Sequence, residues 1–238
     1  MDWKGHQAFS GHGNKSDGTP NHTQFSLKAA FERNQRQLQW KIVFLANKFY
    51  TMTKQLRDHI ERVVPLSDTE FEMISSFFSL KRYKKHQFLI QEGEPVPCNF
   101  FVLKGLLKLV YTNDAGKEHI VGFAQEDWWE TDFAAYYTES KATMSLECIE
   151  DTEVLCLRLI DYKKMCAAVP KLEHFFLEKA YQGFISAQQR IISTMTVGIK
   201  ERYEQLLKKY PTLVQRVPKS LLAAYLGVSR EALSRLPQ

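Results

Sequence analysis

Residues 217–236 read VPKSLLAAYLGVSREALSRL, and the local signals in that stretch set the terms for the rest of the chain. Leu221, Leu222, Tyr225 and Leu226 recur at helical spacing and stop at Gly227, and a second helix is expected to open after Ser229. Pro218 has no backbone N–H to lose and so suits the start of the earlier helix, while Gly227 can take the left-handed conformation that closes it. Ser229 can accept a bond from the free amides of the second helix, and Glu231 stands in its first turn, where the dipole favours negative charge. Two short helices joined by a tight glycine turn form a helix-turn-helix pattern. Ala232, Leu233 and Leu236 make its inner side and leave Arg230, Glu231, Ser234 and Arg235 facing out.

That outer set suits the edges of base pairs. Arginine can fork onto guanine N7 and O6, glutamate can accept from cytosine N4, and serine can serve a base or a phosphate. A plain solvated helix face would carry the same residue types, but the turn and the apolar positions agree with the DNA-reading alternative. The run AAYLGVSREALSRL resembles the DNA-reading segment of the cyclic-AMP receptor protein / fumarate-nitrate regulator (Crp/Fnr) family of bacterial transcription factors. The family pattern S-R-E-x-x-x-R falls on Ser229, Arg230, Glu231 and Arg235, so the resemblance implies that these positions read bases, with Ser234 beside them. In this sequence Pro237 follows Leu236, whereas the family's recognition helix runs on for a turn or two. A proline interrupts helix hydrogen bonding, so the second helix is expected to be short.

Charge is distributed in keeping with that tail. Residues 197–238 hold eight basic and three acidic side chains and residues 1–51 hold seven and three, which leaves 52–196 at −4 within a chain of net charge +5. A basic end on an acidic body is the pattern of a phosphate-binding module joined to something else. Lys200, Lys208, Lys209 and Lys219 are candidates for phosphate contacts, which position a protein on DNA without reading sequence. With 44% hydrophobic residues the 238-residue chain can bury one sizeable core and a smaller second one. No apolar run approaches the ~20 residues of a membrane span and no secretion signal is evident, so no membrane partner and a cytoplasmic location are expected.

Residues 1–35 lack apolar periodicity and are rich in Gly, Ser, Asn, His and Thr, so the segment 1–51 is expected to be a disordered extension. Met52-Thr-Lys-Gln-Leu-Arg-Asp-His-Ile begins as family members commonly do, which suggests Met52 as the natural start. From there Leu56, Ile60, Val63 and Val64 share a helical face, and Ser67-Asp-Thr-Glu70 opens a further helix carrying Phe71, Ile74, Phe77 and Phe78. Residues 82–158 change period. About eight short runs rich in β-branched and aromatic residues, separated by turn signals such as Glu92-Gly-Glu-Pro95 and Asn113-Asp-Ala-Gly116, predict a β-roll or jelly roll. Gly93, Gly105 and Gly116 stand where the family's sensor domain has its turn glycines. The expected architecture is α+β: a β-roll sensor domain over 52–169, a dimerisation helix over 170–196, and a winged-type helix-turn-helix domain over 197–238.

Family members that bind cyclic nucleotides resemble G-E-L followed by P-R-A-A at the phosphate site, with arginine and a helix N-terminus holding the anion. Here the corresponding region runs from Gln125 to Tyr137 and on to Glu139-Ser-Lys-Ala142, without the glycine and with Ser140-Lys141 in place of Pro-Arg. Glu126, Asp127, Glu130 and Asp132 precede the short helix and are expected to repel an anion, and Lys141 offers a point charge without a planar fork. Tight cyclic-AMP binding is therefore not expected. Trp128, Trp129, Phe133 and Lys141, with Tyr136 and Tyr137, could line a pocket for an unidentified flat effector, or the aromatics could serve packing.

No metal or cofactor is expected. The folded part has no H-x-H pair of the cupin type around His59, His86, His119 or His174, His6, His12 and His22 lie in the extension, and Cys98, Cys148, Cys156 and Cys166 contain no C-x-x-C pair. Enzyme motifs such as G-x-S-x-G and H-E-x-x-H are absent. After Pro170, the residues Phe176, Ala180, Phe184, Ala187, Ile191 and Met195 recur at three- or four-residue steps and predict an apolar stripe ~30 Å long. The family uses the matching helix to pair two subunits, so the expected partners are double-stranded DNA and a second copy. The alternative from another class is a β-roll interaction protein that dimerises but whose short final helix does not bind DNA.

Overall fold

The computed structural model describes residues 54–235, so the expectations for residues 1–51, for Met52 as a start and for Leu236 lie outside the described residues. Helix α1 (54–61) buries Leu56 and Ile60 one turn apart and carries the i,i+4 pairs Lys54–Asp58 (2.7 Å) and Arg57–Glu61 (2.9 Å). Helix α2 (Asp68–Ser75) starts where the sequence places it. The Ser67 hydroxyl accepts from the Glu70 amide and the Glu70 carboxylate accepts from the Ser67 amide, a reciprocal cap. Lys171 reaches the same carboxylate at 2.8 Å and ties α2 to a later helix.

Eight strands follow: β1 (Ser79–Tyr83), β2 (Phe88–Ile90), β3 (Asn99–Lys104), β4 (Leu107–Thr112), β5 (Glu118–Ala124), β6 (Trp129–Glu130), β7 (Ser145–Cys148) and β8 (Thr152–Leu157). They form two four-stranded sheets, β1-β8-β3-β6 and β2-β7-β4-β5, with every neighbouring pair antiparallel. This is the expected β-roll. The two-residue period of a strand explains how the sheets are covered on both sides. In β3 and β8, Phe100, Val102, Val154 and Cys156 enter the core between the sheets, while Phe101, Leu103, Leu155 and Leu157 enter a second core outside the first sheet. Strands buried on both faces read as continuous apolar runs, as Phe100-Phe-Val-Leu103 does.

One turn requires glycine. Gly105, between β3 and β4, has φ of 110°, and a Cβ there would fall 2.4 Å from Thr152 Oγ1 and 2.8 Å from Thr152 Cα.

Helices α3 (Phe133–Thr138) and α4 (Leu159–Ala168) lead to the 26-residue α5 (Lys171–Thr196). The first turns of α5 bury Leu172 and Phe175 in the outer core, among Leu56, Ile74, Phe101 and Met165. Beyond them the helix leaves the β-roll, and Leu177, Tyr181, Phe184, Ile185, Ile191, Ile192 and Met195 each expose half or more of their surface. The apolar stripe is therefore set one position later at its start than the sequence reading has it. Phe176 turns inward and packs against Tyr162 and Trp129, because the first turns of α5 still lie on the body of the fold.

The C-terminal elements are α6 (Ile199–Lys209), α7 (Pro211–Arg216), α8 (Lys219–Leu226) and α9 (Arg230–Ser234). Leu206, Leu213, Val214, Val217, Leu222, Leu226 and Leu233 share a third core with Leu106, Val110, Ile120, Phe123 and Ile149 from the outer side of the second sheet. The helical unit thus rests on β4 and β5.

Candidate nucleic-acid interface

Helix α8 begins directly after Pro218, whose carbonyl accepts from the Leu221 and Leu222 amides. It ends at Gly227 with φ of 73°, where the Gly227 amide donates to Ala224 and the Val228 amide donates back to the Ala223 carbonyl at 2.9 Å. Leu222, Ala223 and Leu226 are buried, Leu221 and Tyr225 are half-buried, and the Tyr225 ring sits 5.2 Å from that of Phe123 on β5. Ser229 caps α9 by accepting from the Ala232 amide at 3.2 Å. Leu233 anchors the short helix in the third core.

Anchored on that side, α9 leaves Ser229, Arg230, Glu231, Ser234 and Arg235 exposed, and Lys219 is exposed at the start of α8. The Glu231 carboxyl is held below its ordinary range by its own backbone amide and by the Ser229 hydroxyl, which keeps it an acceptor at neutral pH. The exposed set combines fork donors, an acceptor and hydroxyls, the groups that can address base edges.

The segment 125–143 is arranged differently. Asp132 is fully buried at the N-terminus of α3, where it accepts from the Ala135 amide (3.2 Å) and from the Thr143 amide and hydroxyl (2.8 and 3.0 Å). The chain's own carboxylate therefore fills the helix end that an anion would use. Glu126 receives the Gly105 amide at 2.8 Å and the Arg216 guanidinium at 2.7 and 3.1 Å. Asp127 is bonded by Gln55 at 2.9 Å and Arg62 at 3.1 Å. The four acidic residues do not act as one repelling cluster. Glu130 is the one whose carboxyl is pushed up, to about 8, by burial, with the Thr131 amide offsetting part of it; a Cβ at Gly122 would lie 3.3 Å from its Oε2.

The residues expected to line an effector pocket go to separate surroundings. Trp129 packs in the outer core against Phe78, Phe101 and Phe175, and its indole N–H donates to His59 Nε2 at 3.3 Å. Trp128 packs on the core between the sheets and meets the Tyr210 ring at 5.2 Å. Phe133 and Lys141 are exposed, with the Lys141 backbone bridged to Pro95. Tyr136 is buried and donates to the Leu157 carbonyl, and Tyr137 is exposed beside it.

Two arginines that sequence reading did not single out join the helical unit to the β-roll. Arg216, at the end of α7, forks onto Glu126 and onto Glu150 (2.7 and 3.1 Å). Arg190, on α5, donates to the Ile120 and Val121 carbonyls of β5 and to the Tyr225 carbonyl of α8, and lies 4.0 Å over the Tyr225 ring. Sequence separations of 35 to 90 residues hide these contacts from any local pattern. Among the described residues no group of His, Cys, Asp and Glu could hold a metal, all four cysteines are free and buried, and no helix is long and apolar enough to cross a membrane.

Comparison with known proteins agrees with this layout. Residues 80–168 match the cyclic nucleotide-binding domain family. The transcriptional regulatory protein btr of Bordetella pertussis is 25% identical over 167 residues, covering 65% of this chain and 68% of btr. Among solved structures, FixK2 from Bradyrhizobium japonicum is similar with a TM-score of 0.59 at 16% identity, over 66% of this chain and 81% of FixK2. The c-di-GMP responsive global regulator CLP of Xanthomonas campestris gives 0.58 at 14% identity, over 71% of this chain and 89% of CLP. A putative Crp/Fnr-family regulator from Eubacterium rectale gives 0.57 at 17% identity, over 71% and 81%. Residues 80–168 are thus similar to cyclic nucleotide-binding domains, and about two thirds of the chain shares its fold with these three solved structures.

Proposed function

We propose that this chain is a transcriptional regulator that reads double-stranded DNA as a dimer. The observation that carries the reading is the surface of α9: Leu233 holds the helix in the core while Ser229, Arg230, Glu231, Ser234 and Arg235 stay exposed. Arg230, Glu231 and Arg235 address base edges in the major groove, and Lys219 contacts phosphate. The exposed stripe from Leu177 to Met195 pairs with its copy in a second chain, since exposed apolar area of this extent on a helix gains free energy when covered. Two-fold pairing sets the two α9 helices about one DNA turn apart. A gel-shift against genomic fragments at low and moderate salt tests this. Retention of a few discrete bands at moderate salt is the expected result, and loss of all binding together, or none at either salt, contradicts it.

Cyclic AMP is not the trigger in this reading. Asp132 occupies the α3 N-terminus, and Lys141 is exposed where the family's arginine would be. Calorimetry with cyclic AMP should give no saturable heat; micromolar binding would refute this part.

A further inference from the structure

The face of α5 opposite its apolar stripe borders a groove of about 170 Å³ closed by α6, Tyr210 and α8. At 100° per residue, Ser186, Gln189, Arg190 and Ser193 point roughly away from Phe184, Ile191 and Met195. A dimer formed through the stripe would leave the groove open.

The walls are cationic without counter-charge. Arg190, Arg202 and Lys209 line the groove, and among the described residues no carboxylate does. The Arg190 charge is fixed by neutral partners, the carbonyls of Ile120, Val121 and Tyr225. Arg202 Nε is buried with no hydrogen-bond partner. Lys209 Nζ is 3.5 Å from Gln189 Oε1 and 5.2 Å from the Tyr210 ring. Ser193 donates to Gln205 at 3.2 Å, and Gln205 in turn bonds Glu201 at 3.4 Å. A buried guanidinium N–H with nothing to donate to, flanked by two cations paired with neutral groups, lacks an acceptor of negative charge.

We propose that this groove binds a small phosphate-bearing ligand, a phosphate monoester or a free phosphate. A phosphate supplies several acceptor oxygens with the charge that these cations lack, and guanidinium geometry matches it. The space corresponds to about five or six waters, enough for a phosphoryl group with a small substituent. The bound anion would touch α5, α6 and α8 together, so occupancy would stiffen the joint between the long helix and the helical unit that carries α9. The inference does not rest on DNA reading by α9.

The test uses the full chain in phosphate-free buffer, titrated with inorganic phosphate and with glycerol 3-phosphate by calorimetry and thermal melting, with sodium chloride at matched ionic strength as control. Saturable binding and a raised melting temperature are expected, with affinity falling at least about tenfold in Arg202→Gln and in the exposed-site variant Lys209→Gln. Lys163→Gln, exposed on α4 and outside the groove, should bind as the wild type does. Tighter binding of the ester than of free phosphate identifies a metabolite site; equal affinity identifies a phosphate sensor. No saturation by about 10 mM, or equal binding by wild type and both groove variants, overturns the proposal. So does a loss of DNA affinity in Lys209→Gln that phosphate does not modulate, which would assign the groove to the DNA backbone.

Discussion

The segment 125–143 and the tail 229–235 are both rich in charge, yet the fold treats them in opposite ways. In the first, Glu126, Asp127 and Asp132 are each engaged by an internal partner: Arg216, Arg62 with Gln55, and the amides of Ala135 and Thr143. In the second, Arg230, Glu231 and Arg235 stand on a helix whose only buried side chain is Leu233. Charge that a chain satisfies by itself builds structure, whereas charge held rigid and left exposed is available to a partner. Under the proposed function, residues 80–168 serve as a structural body and the tail as the recognising surface.

The comparison can be broken first at α5. Phe184→Asp with Ile191→Asp should convert dimers to monomers in sedimentation and lower affinity for a specific site more than about a hundredfold, because two linked half-sites are lost together. A dimer that survives both changes removes the link between the two regions. Next, Asp132→Ala should lower stability by about 3 kcal/mol in urea unfolding, since it orphans two amides and a hydroxyl in a fully buried place. A neutral result would mean that water replaces the carboxylate and that the α3 terminus is open to anions after all.

A smaller effect follows from His59, buried between Phe101 and Phe175 with its Nε2 accepting from Trp129. Burial, then the nearby Lys179 charge, lowers it from 6.5 to about 4, so the unfolded chain takes up the proton first. Its stabilising contribution is complete above about pH 6.5 and is lost as pH falls toward 4, amounting to about 2 kcal/mol between pH 7 and 5. Urea midpoints measured across that range should show the slope in the wild type and less of it in His59→Gln. Last, Arg216→Ala should cost about 1 kcal/mol, because its partly exposed carboxylates are screened, and should leave base preference unchanged. A changed preference would mean that the Glu126–Arg216–Glu150 link sets the position of α9.

Much of this architecture is local and therefore legible. Pro218, Gly227 and Ser229 mark helix boundaries through their own backbone chemistry, and α8 and α9 begin and end beside them. The strands of the β-roll announce themselves by period and by turn residues. The register of α5 is less secure, because steps of three and four residues allow neighbouring stripes; Phe176 and Leu177 are both apolar, and only the outer core decides which turns inward. The acidic run before α3 is the instructive failure. Proximity in sequence suggests a joint field that repels an anion, but Glu126 and Asp127 find partners 90 and 72 residues away, and Asp132 turns back onto its own helix. Arg190 and Arg216 carry no motif at all, and their importance exists only once β5, α7 and α8 are brought together.

The most direct measurement is selection of bound sequences from a random DNA pool by the full chain, in parallel with Arg235→Ala. The wild type should enrich a two-fold symmetric site with half-sites about one helical turn apart, and the variant should lose preference at one symmetry-related position, at a cost of about 1–3 kcal/mol. A pool that is not enriched, or a motif that Arg235→Ala leaves intact, would contradict the assignment of α9 as the reading element.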